Sequence, residues 1–299
     1  MSTITIFSTP KPFSDPHINM IQRNAIQSWK QLGDIVEVLL IGDEPGLKEA
    51  AEDIGVRYIP DVERNKFGTP LVHSIFDQAR IESSHQILFY INADIILLPE
   101  CVMVINSIHQ QENEFLLVGK RWDLNISREI NFESDWVAEL EARIRIEGKL
   151  RAPSAMDYFA FPRHQYQNIP PFAIGRAGWD NWMIYYGNQQ PWPIIDTTPS
   201  HRVIHQNHDY SHLPDGQPHY DLEESYQNIA LSGGMAAMHD LLDVNLIYEG
   251  GRIRKKRLTI PRLLRKLERI VIPDEQEGWR WSMTRILRRS RRKLSKLGG

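Results

Sequence analysis

The chain has a single cysteine, Cys101, among its 299 residues. That excludes an internal disulfide and any zinc site built from several cysteines, and it fits a reducing compartment. The sequence has no uninterrupted apolar run of the roughly 20 residues needed to span a bilayer. Residues Met1 to Phe7 carry neither the basic stretch nor the long apolar core of a signal peptide, so a cytoplasmic protein is expected. No G-x-G-x-x-G follows the first predicted strand and no G-x-x-x-x-G-K-[ST] occurs anywhere, which argues against dinucleotide and P-loop sites. Internal repeats are also missing.

What is present is an ordinary globular composition, 41% hydrophobic and 24% charged, with eight Trp and ten Tyr. The net charge of −3 hides a strong asymmetry. Residues 252–299 hold 17 Lys/Arg against 4 Asp/Glu, a balance of +13, and the rest of the chain carries −16.

Along the chain, short apolar runs alternate with helical periodicity. Ile4 to Phe7 reads as a strand, and Ser14-Asp15-Pro16 starts a helix whose apolar residues Ile18, Ile21, Ala25, Trp29 and Leu32 recur at helical spacing. Strands are predicted at Val36 to Ile41, Val56 to Ile59, Ile87 to Ile91 and Phe115 to Val118. Helices are predicted at Leu47 to Ile54, Leu71 to Arg80 and Glu100 to Gln111. This alternation predicts parallel βαβ units and a nucleotide-binding half over residues 1–120. Beyond it come a helix near Ser134 to Ile146, a strand at Tyr158 to Phe161, then Pro- and His-rich loops.

Three constellations carry chemistry. Asn92-Ala93-Asp94 follows an apolar strand, at the strand end where open α/β sheets bind ligands. A carboxylate there can hold a divalent metal that neutralises a diphosphate; it can also simply cap a turn. Gly178-Trp179-Asp180-Asn181 opens a predicted helix, where Asp180 reads either as a general base or as a helix cap. The segment from Ser200 to His212 holds four of the eleven histidines. It reads either as a metal site drawn from His201, His205 and His208 or as hydrogen-bonded loop histidines.

Taken together, these elements resemble GT-A-type nucleotide-sugar glycosyltransferases, family 2-like, over roughly residues 3 to 235. The resemblance implies an α/β fold: a doubly wound mixed sheet with flanking helices, divided into a nucleotide-binding half (1–120) and an acceptor half (121–235). Asn92-Ala93-Asp94 looks like the D-x-D motif with Asn in first place, so Asp94 is the implied ligand of Mn2+ or Mg2+, with His205 and then His208 completing the site. Asp180 is the implied catalytic base of an inverting enzyme. Asp157 and Trp179 are implied to border the acceptor. Ser8, Thr9, Lys11, Asp43, Asp61, Asn65, Thr69, Asn92 and Arg121 are implied around the nucleotide-sugar donor.

Residues 236–299 are expected to form a basic, amphipathic helical extension. Leu263, Leu264, Leu267, Ile270 and Val271 share one helical face, and Trp279, Met283, Ile286, Leu287, Leu294 and Leu297 repeat the arrangement. Such helices suit an anionic membrane surface, or packing on the acidic body; no nucleic-acid module accompanies the charge. The expected activity is metal-dependent transfer of a sugar to a hydroxyl on a glycan or lipid-linked acceptor, a step in glycan biosynthesis. The alternatives are a nucleotidyltransferase of related fold and a non-catalytic membrane or partner adaptor.

Overall fold

The computed structural model describes residues 3–208, 222–273 and 277–297. The end of the His-rich segment, His212 included, lies outside these described residues.

The first half follows the sequence pattern closely. Strands β1 (Ile4–Ser8), β2 (Val36–Ile41), β3 (Arg57–Ile59) and β4 (Ile87–Ile91) alternate with helices α1 (Pro16–Lys30), α2 (Leu47–Ile54) and α3 (Val72–Glu82). The four strands run parallel in the order β3-β2-β1-β4. Their uninterrupted apolar sequences are explained by burial on both faces. Ile4, Ile6, Phe89 and Ile91 pack beneath α1 and α2, while Phe7, Leu88 and Tyr90 pack against Val72, Ile75 and Phe76 of α3. Asp15 caps α1 by accepting from the Ile18 amide, and Pro16 occupies the first turn, as the Ser-Asp-Pro signal implies.

After β4 the chain departs from simple winding. Strand β5 (Ile95–Leu97) leaves the main sheet, α4 (Glu100–His109) returns to it, and β6 (Leu116–Val118) is followed by β7 (Trp122–Leu124), α5 (Trp136–Glu147) and β8 (Lys149–Leu150). Strand β9 (Tyr158–Pro162) inserts antiparallel between β4 and β6. Helix α6 (Trp179–Gly187), β10 (Ile194–Asp196), β11 (Val203–Gln206) and α7 (Glu223–Leu231) complete this half. A nine-stranded mixed sheet results, in the order β13-β12-β10-β6-β9-β4-β1-β2-β3, beside a four-stranded sheet β5-β11-β7-β8. The latter has its own apolar cover, Trp136, Leu140 and Ile144 of α5.

Helix α1 ties the two sheets together through a buried face that is partly polar. The Trp29 indole donates to the Ile95 carbonyl at 2.8 Å, Ser28 accepts from the Leu97 amide, and Asn24 donates to the Gln206 side chain. Buried polar groups left unpaired are costly, so these bonds fix the small sheet against the large one.

The C-terminal stretch ends in the expected basic helices, but its first part is not a helical extension. Strands β12 (Leu246–Glu249) and β13 (Arg252–Lys255) precede the helices and extend the main sheet from β10. Helices α8 (Ile260–Val271) and α9 (Gly278–Leu297) follow and pack on each other as a hairpin. Charge, rather than the apolar stripe, holds this hairpin. Glu268 of α8 is fully buried and meets Arg265 at 3.2 Å, Arg288 at 2.9 Å and Arg291 at 3.1 Å. Arg265 also bridges to Asp243 at 2.7 Å, and Arg262 donates to the Val244 carbonyl and Asn245.

Burial opposes ionisation of Glu268, but its three arginines outweigh that and hold its carboxyl below the usual value. A lowered folded value means the contribution is present above the unfolded value and is lost as pH falls through the folded one. Glu268→Ala should therefore cost about 3–5 kcal/mol in urea unfolding at pH 7, because it strands buried cations. The wild-type advantage should shrink in acid; an unchanged midpoint would refute the ionic core.

Candidate functional site

The small sheet brings together, by register, side chains that could hold a metal ion. Strand β11 pairs antiparallel with β5, His205 opposite Ile95, and parallel with β7, His205 opposite Asp123. Asp94 immediately precedes β5, at the end of the buried strand β4. One imidazole is thus set between two carboxylates. His205 Nε2 lies 3.7 Å from Asp94 Oδ2, and His205 Nδ1 lies 3.5 Å from Asp123 Oδ1. His208, just past β11, reaches the same Asp94 oxygen at 3.1 Å.

Asp94, His205 and His208 each offer a ligand atom, all within 4.8 Å of one another. Asp94 Oδ1 is buried without a hydrogen-bond partner, as expected of a group shaped to bind something further. One hard oxygen and two imidazole nitrogens suit a divalent transition ion. Asp123 stands behind His205, its Oδ1 facing Nδ1 at 3.5 Å, where a carboxylate can orient a ligating imidazole. His201 is not part of the cluster: its ring packs 5.5 Å from that of Tyr158, and burial pushes it down to about 4, neutral at pH 7.

Two cations serve the cluster. Burial lowers the pKa of Lys11, against the pull of Asp94 nearby. A reciprocal clamp holds its loop: the Lys11 amide donates to Gln22 Oε1 at 2.7 Å, and Gln22 Nε2 donates back to the Lys11 carbonyl at 2.9 Å. Arg121 bridges Asp157 at 2.6 Å and Asp123 at 3.1 Å. Burial would raise the Asp94 carboxyl, but His205, the His208 hydrogen bond and Lys11 outweigh it and keep Asp94 well below the usual carboxylate range.

Asn92 explains its own departure from an acidic first position. Its oxygen accepts from the Tyr90 hydroxyl at 2.8 Å and its amide donates to Asp157 Oδ1 at 2.9 Å. A carboxylate at 92 would face the Asp157 carboxylate at hydrogen-bond distance, where an amide is attractive. Gly119 makes a similar demand: a Cβ there would sit 2.1 Å from the Tyr158 hydroxyl and 3.0 Å from the Thr198 amide nitrogen. Only glycine lets the backbone leading to Arg121 run this close.

Asp180 lies in the first turn of α6, where the helix N-cap is Gly178 and Asp180 accepts the Asn181 amide. Burial, reinforced by the charge of Asp157, pushes Asp180 up to about 6. The second carboxylate of the site is therefore set apart from Asp94 by its environment, one held ionised and one poised near neutrality.

Other expected residues are placed differently. Trp179 is buried, its ring packed on Phe76, Tyr90 and Phe159, so it anchors Asp180 from the core and is not an open acceptor surface. Ser8 is fully buried and donates to the Ile91 carbonyl, joining β1 to β4 rather than facing a ligand. Asn65 shapes its own turn by accepting the Phe67 and Thr69 amides and donates to Glu224, which also pairs with Arg176. Thr69 hydrogen-bonds the same Glu224. Asp43 pairs with Arg64, Asp61 is exposed, and the buried Thr9 hydroxyl has no partner.

Asp123 and Gln22 were not anticipated. Asp123 had a signal in the sequence: it sits two residues after Arg121, the spacing that lets extended neighbours meet on one side. A cavity of about 1070 Å³ lies on the other side of this segment, lined by Lys120, Trp122, His201 and Lys256 and by none of the metal-cluster residues.

No protein-family model matches the chain, and no curated protein matches it. Among solved structures it is similar to glucosyl-3-phosphoglycerate synthase from Mycobacterium tuberculosis. The form with Mn2+, uridine diphosphate and phosphoglyceric acid matches at 16% identity over 78% of this chain and 79% of that one, TM-score 0.48. The form with Mg2+ and uridine diphosphate matches at 16% identity over 86% of this chain and 88% of that one, TM-score 0.47.

Replacing Asn92 by Asp should lower stability at pH 7 by about 1–3 kcal/mol, since it turns a hydrogen bond into a buried like-charge contact. Denaturant unfolding of N92D checks this; equal or greater stability would show that Asn92 and Asp157 are not coupled.

Proposed function

We propose that this chain is a metal-dependent glycosyltransferase that moves a sugar from a nucleotide-sugar donor to a hydroxyl acceptor with inversion. The observation that carries the reading is the pairing, near the C-terminal end of strand β4, of two unlike sites. One is the Asp94–His205–His208 cluster with its unpartnered Oδ1. The other is a separate carboxylate, Asp180, raised towards neutrality.

Asp94, His205 and His208 would hold the metal, and two imidazoles beside one carboxylate favour Mn2+ over Mg2+, which prefers oxygen ligands. When bound, that ion neutralises the donor diphosphate and makes it a better leaving group. Lys11 adds a cation on the same side, a suitable partner for phosphate oxygens. Thr9, Asp43 and Asp61, at the ends of β1, β2 and β3, border the region proposed for the nucleoside.

Arg121 and Asn92 hold Asp157 in place, and its second oxygen, buried and unpartnered, is the proposed contact to the sugar or acceptor. Asp180 takes the acceptor hydroxyl proton as the new glycosidic bond forms opposite the departing diphosphate. The proposed acceptor is a glycan or lipid-linked hydroxyl. The proposed location is the cytoplasm, at the inner face of a membrane where the acceptor is lipid-borne. No helix among the described residues is long and apolar enough to cross a bilayer.

The test is transfer from a panel of nucleotide sugars with Mn2+ present. The base must be deprotonated, so kcat/KM should rise with pH through about 6 and level off above it. Asp180→Asn should lose roughly 10²–10⁴-fold in kcat while retaining donor affinity. Full transfer by this variant would remove Asp180 from the mechanism, and no turnover of any donor by the wild type would remove the activity.

A further inference from the structure

The C-terminal hairpin is built inside out. Its buried side is ionic: Arg262, Arg265 and Glu268 of α8, and Arg291 of α9, face inward. Its exposed side carries the large apolar residues. On α8, Ile260, Leu263, Leu267 and Ile270 follow one another by three or four residues and are 42–72% exposed. On α9, Trp279, Met283 and Ile286 do the same, with Trp279 at 72%. A soluble hairpin buries its apolar stripes between the helices or against the body. Here salt bridges occupy that place, and two apolar stripes are left uncovered.

Single exposed apolar side chains need no explanation, but seven large ones at helical spacing on paired helices mark a surface that meets something else. Charge says what. Lys266 on α8 and Arg285, Arg289, Arg292 and Lys293 on α9 are exposed beside the stripes. None of these five takes part in an ion pair among the described residues. By contrast, Arg265, Arg288 and Arg291 are matched by Asp243, Glu268 and Asp240. An apolar stripe with an exposed Trp, flanked by unpaired cations, complements the surface of an anionic bilayer: the side chains enter the acyl boundary and the cations meet the headgroups.

We infer that α8 and α9 form a docking surface for an anionic lipid membrane, with the hairpin lying in the interface and its ionic core keeping the apolar stripes turned outward. The inference stands independently of the transfer chemistry.

The experiment is co-sedimentation of the full chain with vesicles of phosphatidylcholine alone and with phosphatidylglycerol added, each at low and high salt. The expected result is binding to the anionic vesicles that weakens with salt. Binding should fall roughly tenfold or more in Trp279→Ser/Leu267→Ser and in Arg289→Ser/Arg292→Ser, all exposed positions. Unfolding midpoints should stay unchanged in both variants. Equal partition into neutral and anionic vesicles, or no binding at low salt, would overturn the inference. A concentration-dependent dimer that Trp279→Ser/Leu267→Ser abolishes would also overturn it, by showing that a second copy covers the stripes.

Discussion

Asp94 is a carboxylate drawn largely out of water at the end of a fully buried strand, and its surroundings are organised to keep it charged. An ionised carboxylate in such a place is stable only with opposite charges and hydrogen bonds around it. His208 supplies a hydrogen bond at 3.1 Å, His205 faces the carboxylate at 3.7 Å, and Lys11 supplies a cation from a loop clamped by Gln22. The register of β5, β11 and β7 is what brings these groups within reach, and α1 fixes that register through Trp29, Ser28 and Asn24. A shift of one residue in β11 would turn His205 to the opposite face, where Ile204 now packs under α5.

The same principle separates the acids of the site by task. Asp157 shares its Oδ1 between an amide and a guanidinium, and that explains an asparagine at position 92. Asp180 is raised by burial and by the charge of Asp157. Compensation also governs the far end of the chain. Glu268 gathers three arginines into the hairpin core, and the apolar residues of α8 and α9 are left on the surface as a result.

Sequence patterning revealed the first half of the fold well because its strands are buried on both faces and bounded by clear stops. Val36–Ile41, Leu47–Ile54 and Ile87–Ile91 lie where their apolar runs end. The short strands β5, β7 and β10 were missed, and β12 and β13 lie in a stretch read as a helical extension. Asp94, His205 and His208 were legible because His and Asp at strand ends are chemically distinctive. Asp123 was not singled out, since its role depends on pairing with a strand about eighty residues away. Trp179 and Ser8 misled for the opposite reason: residues suited to ligand contact are equally suited to a core, and only burial tells the two apart. The orientation of the tail could not be read from helical periodicity either, because the periodic stripe is real but faces outward.

The central claim is that Asp94 is the anchor of a metal site, and direct titration of Mn2+ tests it without reference to any substrate. Electron paramagnetic resonance of free Mn2+ should report one ion bound per chain, lost in Asp94→Ala. In Asp123→Asn, where the imidazole loses its orienting carboxylate, binding should weaken by roughly 10–100-fold. Mn2+ binding by Asp94→Ala with wild-type affinity and stoichiometry would contradict the account.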